Sequence, residues 1–135
     1  MHKSIYWIAV TAVGLPIYLL AQTKNVVLPQ DKGPSTINVS SYPPEQQQAY
    51  KLFVNKCSQC HTIARPINTS MTRTEWMMYV KRMMHKPNSG ISNAQGKESF
   101  EFLAYDQQER KDKNPSKFYK ALSDDQIQRL EAQQN

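Results

Sequence analysis

The sequence contains two cysteines, and both fall in one five-residue run, Cys57-Ser58-Gln59-Cys60-His61. Two thiols this close together cannot cross-link distant parts of a chain, so a disulfide framework is excluded, as is a four-cysteine zinc site. The 135 residues have room for one small domain and are too few for a barrel enzyme or a doubly wound sheet. The hydrophobic share is 39%, but part of it is concentrated in the first 21 positions, which leaves the remainder lean in core-forming side chains. A small domain of that kind usually needs a staple other than its own side chains.

Residues 1–21 open with Met1, His2 and Lys3 and continue as an apolar run containing Ile5, Trp7, Ile8, Leu15, Ile17, Leu19 and Leu20. This is the form of a signal peptide or, if it is retained, of an N-terminal membrane anchor. No twin arginine precedes the run and no cysteine follows it closely, so neither a twin-arginine signal nor a lipoprotein anchor is indicated. The expected location is therefore periplasmic, free or held at the outer face of the inner membrane, with membrane contact only through the N-terminal helix. Residues 22–42 hold Pro29, Gly33, Pro34 and several Ser and Thr without a sustained period, which reads as an extended strap or linker.

Regular structure is expected from Pro43-Pro44, since proline is tolerated in a first helical turn. From there Ala49, Phe53 and Cys57 recur every four residues on one helical face, with Tyr50 and Val54 beside them. Three capping boxes follow, at Thr72-Arg73-Thr74-Glu75, Ser92-Asn93-Ala94-Gln95 and Ser123-Asp124-Asp125-Gln126. The first opens a helix from about Arg73 to His85, stopped by Pro87 and Gly90; the second opens one carrying Phe100, Phe102, Leu103 and Tyr105; the third opens a last helix. A charged stretch, Glu109 to Lys113, separates the last two helices. No period-2 run of any length appears after Ser41, so the expected class is all-α, with the main domain over 43–113 and a helical extension over 114–135.

Cys-x-x-Cys-His is the attachment spacing of c-type haem. Two thiols about one helical turn apart can each add to a vinyl group of one porphyrin, and the next residue is then placed to offer its imidazole to the iron. A redox-active Cys-x-x-Cys would begin a helix behind a strand, and no strand precedes Cys57. A zinc site would need further ligands at close spacing, whereas the remaining histidines are His2 and His85. A simple disulfide leaves His61 unexplained. The expected cofactor is one covalent haem c, with Cys57 and Cys60 as thioether anchors and His61 as proximal iron ligand.

With Phe53 ahead of the motif, a methionine-bearing helix behind it and the aromatic helix of Phe102, Leu103 and Tyr105, residues 43–106 resemble a class I monohaem cytochrome c. More narrowly, Trp76-x-x-x-Val80-x-x-Met83 followed by Lys86-Pro87-x-Ser89-Gly90-Ile91-Ser92 resembles small periplasmic cytochrome domains whose distal methionine lies on a helix, among them the haem domain of quinohaemoprotein amine dehydrogenases. The resemblance implies a small helical domain wrapped around the haem, with Trp76, Val80 and Phe53 in the haem pocket. It also implies that the carbonyl of Pro66 receives a hydrogen bond from His61.

A helical wheel ranks the distal ligands. With Trp76 at zero, Val80 falls near about 40°, Met83 near about 340°, Tyr79 near about 300° and Met84 near about 80°. His85 and Met78 fall near roughly 180° and 200°, toward solvent with Lys81 and Arg82. The order is Met83, then Met84, then Met77, with His85 fourth. A methionine at helical spacing is ordinarily core packing, and only the haem motif gives one of these a role as ligand.

The net charge is +6, and residues 56–90 hold most of it: Lys56, Arg65, Arg73, Lys81, Arg82 and Lys86 against Glu75 alone. A basic rim would steer redox partner proteins with an acidic docking surface. The basic residues form no nucleic-acid-binding motif, and an exported chain is in the wrong compartment for nucleic acid. The expected function is one-electron transfer through haem c, as a soluble carrier or as the cytochrome subunit of a membrane oxidoreductase, with no catalysis by the chain itself. The alternative is a haem-based binder of a small gas such as NO or CO with an open or labile distal site.

Overall fold

A computed structural model describes residues 27–59 and 62–134. The expected signal or anchor, the first part of the strap, and Cys60 and His61 of the motif lie outside the described residues. In chain order the helices are α1 (Pro44–Cys57), α2 (Ala64–Asn68), α3 (Arg73–Met84), α4 (Asn93–Asp106) and α5 (Asp124–Gln134). Among the described residues the extended structure is one parallel bridge of β1 (Thr69–Ser70) with β2 (Tyr119–Lys120), Thr69 opposite Tyr119. The molecule is mostly helical, as the periodicity predicts. Among the described residues no helix is long and apolar enough to cross a membrane.

The three helix starts carry the expected caps. Thr72 Oγ1 accepts from the Glu75 amide while Glu75 Oε2 accepts from the Thr72 amide at 2.7 Å. Ser92 with Gln95, and Ser123 with Gln126, make the same reciprocal pair, so each start satisfies two otherwise orphaned amides. α3 ends at Met84 because the chain then enters a turn in which Asn88 and Gly90 take left-handed φ values of 61° and 59°.

α4 is the element on which α1 and α3 both pack. Its Phe102 and Leu103 are fully buried, and Phe102 lies 5.3 Å from the Phe53 ring and 5.1 Å from the Tyr50 ring, both on α1. α3 contributes Trp76, Tyr79 and Val80 to the same core. α3 approaches α4 closely at Gly96, where an added Cβ would stand 2.3 Å from Met84 Sδ.

Two segments read from sequence as connectors are part of the packing. The strap makes a 3-10 turn at Pro29–Lys32 that buries Leu28 and Gln30. Asp31 there pairs with Arg65 of α2, receiving its Nε at 2.7 Å and also its terminal nitrogen. Asn68 Nδ2 reaches the carbonyls of Gln30, Pro34 and Ala64 at 2.7–3.0 Å. The charged stretch after α4 continues it as a π-helical turn, Gln107–Lys111, that sends Lys111 into the interior with no exposed surface.

Gly33 sits where the strap passes Asn68. Its backbone suits any residue, with φ −77°, but a Cβ there would lie 2.5 Å from Asn68 Nδ2, an atom already fixed by its three acceptors. Gly33→Ala is expected to destabilise the chain by about 1–3 kcal/mol through overpacking, seen in urea denaturation as a lower midpoint at unchanged slope; an unchanged midpoint would show that the strap does not hold α2.

Candidate functional site

The site forms where the C-terminal end of α1 faces α3. Ala49 and Phe53 are buried against α4, and the same four-residue spacing brings Cys57, the last residue of α1, to the edge of the core half-buried. Its thiol is free, and burial pushes its pKa up to about 11. A thiolate at this position would also meet the negative end of the helix dipole. A dithiol redox motif requires the opposite, a thiol activated at a helix N-terminus.

Across from it stands Tyr79 of α3, buried, with its phenol pushed up to about 12 by desolvation first and then by the proximity of Cys57. Met83 is one turn further along the same helical face, half-buried against the core. Met84 is turned differently, seated over Gly96 in the contact between α3 and α4. The surroundings of the two adjacent methionines differ: Met84 packs α3 against Gly96 of α4, and Met83 lies one turn beyond Tyr79, half-buried at the fringe of the core. Met77 and Met78 are 46% and 62% exposed, and His85 is exposed with Nδ1 held 2.7 Å from the Lys81 carbonyl.

Phe53 and Trp76 have no exposed surface and Val80 retains 8%. They belong to one apolar cluster, and Cys57, Met83 and Met84 pack along its partly exposed fringe. Trp76 stacks edge-on with Tyr79 at 5.7 Å and donates Nε1–H to Gln107 Oε1 at 3.2 Å. The donor chemistry fits a covalently held haem: a neutral thiol at the end of a helix, a thioether on the facing helix and an aromatic and aliphatic wall behind them. Among the described residues no three His, Cys, Asp or Glu side chains converge as a metal group.

The carbonyl of Pro66, for which the resemblance implies His61 as donor, accepts a hydrogen bond at 2.7 Å from Lys111 Nζ. Lys111 also donates to the Thr69 carbonyl at 2.7 Å and lies 4.5 Å from the centroid of Trp76. Asp106, likewise buried, accepts from Tyr42 at 2.8 Å and from Arg110 through both oxygens at 2.7 Å. Sequence reasoning missed this cluster. The four-residue spacing of Asp106 and Arg110 was a signal for their pair, but a lysine in a charged run gives none for burial.

The basic segment is sorted by the fold. Arg65 is paired with Asp31, and Arg73 lies 3.3 Å from Glu101. Lys81, Arg82 and Lys86 are exposed around the C-terminal end of α3 that carries Met83, with the Arg82 guanidinium 5.9 Å from the Tyr79 centroid. No protein-family model matches the chain, and comparison with curated proteins and with solved structures gives no match either.

The raised pKa of Cys57 has a direct chemical consequence. In a haem-free Cys60→Ser chain, iodoacetamide is expected to alkylate Cys57 at pH 8 roughly tenfold more slowly than free cysteine, because a two-unit rise cuts the thiolate about a hundredfold and the greater nucleophilicity returns half of that logarithm. The rate should still be climbing at pH 10. A fast reaction that levels off below pH 8 would mark an activated redox thiol and contradict the site described.

Proposed function

We propose that this chain is a periplasmic monohaem c-type cytochrome that transfers one electron at a time. The observation that carries the reading is the Cys57-Ser58-Gln59-Cys60-His61 sequence, whose Cys57 ends α1 at the edge of the core, and it is supported by Met83 half-buried against that core on α3. Cys57 and Cys60 would hold the haem through thioether bonds, and His61 and Met83 would supply protein ligands to its iron. The haem, when bound, supplies an iron that cycles between two oxidation states, and a His/Met ligand pair favours a comparatively high potential.

The chain's own residues fix what that iron experiences. The buried core of Phe53, Trp76, Val80 and Phe102 would give a haem held at its edge a low-dielectric wall, which would disfavour the more highly charged oxidised state. Little rearranges on electron transfer when α1 and α3 are both clamped on α4. Lys81, Arg82 and Lys86 flank Met83 with positive charge, so the surface beside the distal ligand suits a partner with an acidic face. Association on such a surface is fast and salt-sensitive rather than tight. The partner is the electron donor or acceptor, and the chain serves as free carrier or, through residues 1–21, as an anchored subunit.

Optical and near-infrared spectra of the oxidised protein test the ligand pair. The wild type and Met84→Ala are expected to show low-spin haem with a methionine-to-iron charge-transfer band, and Met83→Ala to lose that band. Loss on Met84→Ala alone would reassign the ligand, and a high-spin wild type that binds CO or NO without displacing a protein ligand would favour a gas-binding protein instead.

A further inference from the structure

At the end of α4 one buried carboxylate is shared by two cations, one of them half-buried and one fully buried. Asp106 is the one carboxylate fully buried there, and it faces two cations, Arg110 at 2.7 Å and Lys111 at 3.5 Å. Arg110 takes both carboxylate oxygens and retains a quarter of its side-chain exposure. Lys111 retains none, and its short bonds are to neutral carbonyls, those of Pro66 and Thr69. An ammonium out of water is costly unless fully compensated, and methionine or leucine would fill the same space without that cost. The residue therefore does something a hydrophobic side chain would not.

Its contacts say where the charge acts. Pro66 lies in α2, on the segment that leads from the Cys57–His61 motif to β1, and Thr69 begins β1. The third contact, the face of Trp76, belongs to the helix that carries Met83. Lys111 thus touches the backbone that follows the motif and the indole that backs the opposite helix, from a position outside both.

We propose that Lys111 is a positioning residue of the electron-transfer site and an internal positive charge that raises its reduction potential. The inference rests on the haem reading above. A cation held in a low-dielectric interior favours the reduced iron, which carries one positive charge fewer, and the carbonyl and indole contacts hold the surrounding backbone in one register. The groups that face Lys111 are Asp106 from α4, with Tyr42 of the strap donating to that carboxylate, and Arg110 and Asp112 from its own segment. α2, β1 and α3 present the carbonyls of Pro66 and Thr69 and the Trp76 ring. Burial outweighs the Asp106 attraction and lowers the Lys111 pKa to about 8, so the charge is removable within an accessible pH range.

The test is the midpoint potential of the haem-bearing wild type between pH 6 and 10, compared with Lys111→Met. The wild-type potential is expected to fall as pH rises through about 8, and the variant to start lower and stay flat over that window. Equal potentials, or the same pH profile in both, would overturn the proposal and leave a purely structural lysine. Should Lys111→Met fail to fold, a flat wild-type profile overturns the proposal and a fall near pH 8 that Lys111→Gln abolishes supports it.

Urea unfolding of the wild-type chain separates this proposal from the haem reading. A lysine whose folded pKa lies below its unfolded value penalises the fold while charged. Stability is therefore expected to rise with pH between about 8 and 10.5, with Lys111→Met lacking that rise. If the wild type carries no haem, the haem reading and the tuning role fall together, even where the unfolding data reveal the buried charge; if it carries haem and the potentials match, the tuning role alone falls.

Discussion

Everything in this molecule that bears on a site is hung from α4. Its Phe102 meets the Phe53 and Tyr50 rings of α1, its Gly96 admits Met84 of α3, and its last residue, Asp106, gathers Tyr42 and Arg110. Buried apolar area supplies the largest favourable term in such a fold, and here it sits where one helix orients two others. The C-terminal end of α1 and the inner face of α3 are therefore both positioned by α4. An electron-transfer site of the kind proposed would need that rigidity more than it needs a large core.

The second constraint is electrostatic. Besides the burial of Leu28 and the packing of Ile37 and Val39, the strap is held by buried or half-buried charge, Asp31 to Arg65 and Tyr42 to Asp106, and the end of α4 by Asp106 to Arg110. Such pairs cost desolvation and gain less net stability than apolar contact, but they fix register. In this chain they fix the segment between Cys57 and α3 from two sides, the strap at Arg65 and Asn68 and the tail at Pro66 and Thr69. The loop that follows the motif is thereby held by polar contacts as well as by its own buried Ile63 and Ile67.

Much of this was legible in the residues, and the exceptions have physical reasons. The helix starts at Pro44, Arg73 and Asn93 were readable because caps and prolines act locally. The inward faces of α1 and α3 were readable because 3.6-residue periodicity survives in Ala49, Phe53, Cys57 and in Trp76, Val80, Met83. The wheel also separated exposed Met78 and His85 from half-buried Met83 and Met84; the packing of Met84 over Gly96 depends on the approach of α4 and was not readable from it. Invisible in sequence were α2, which is five residues long and lacks a cap, and the π turn, whose departure from 3.6-residue spacing is what carries Lys111 inward. Burial of a lysine depends on carbonyls 42 and 45 residues away in the chain, and no local pattern encodes that.

The proposed function requires a covalent bond between the Cys57 and Cys60 thiols and a haem. The decisive measurement is the intact mass of the chain produced in a periplasm with haem-attachment machinery, read before and after treatment with a thiol-alkylating reagent under denaturing conditions. The expected result is a mass greater than that of the polypeptide by one haem, with no thiol left to alkylate. A polypeptide without added haem, in which Cys57 and Cys60 both take up the reagent, would contradict it.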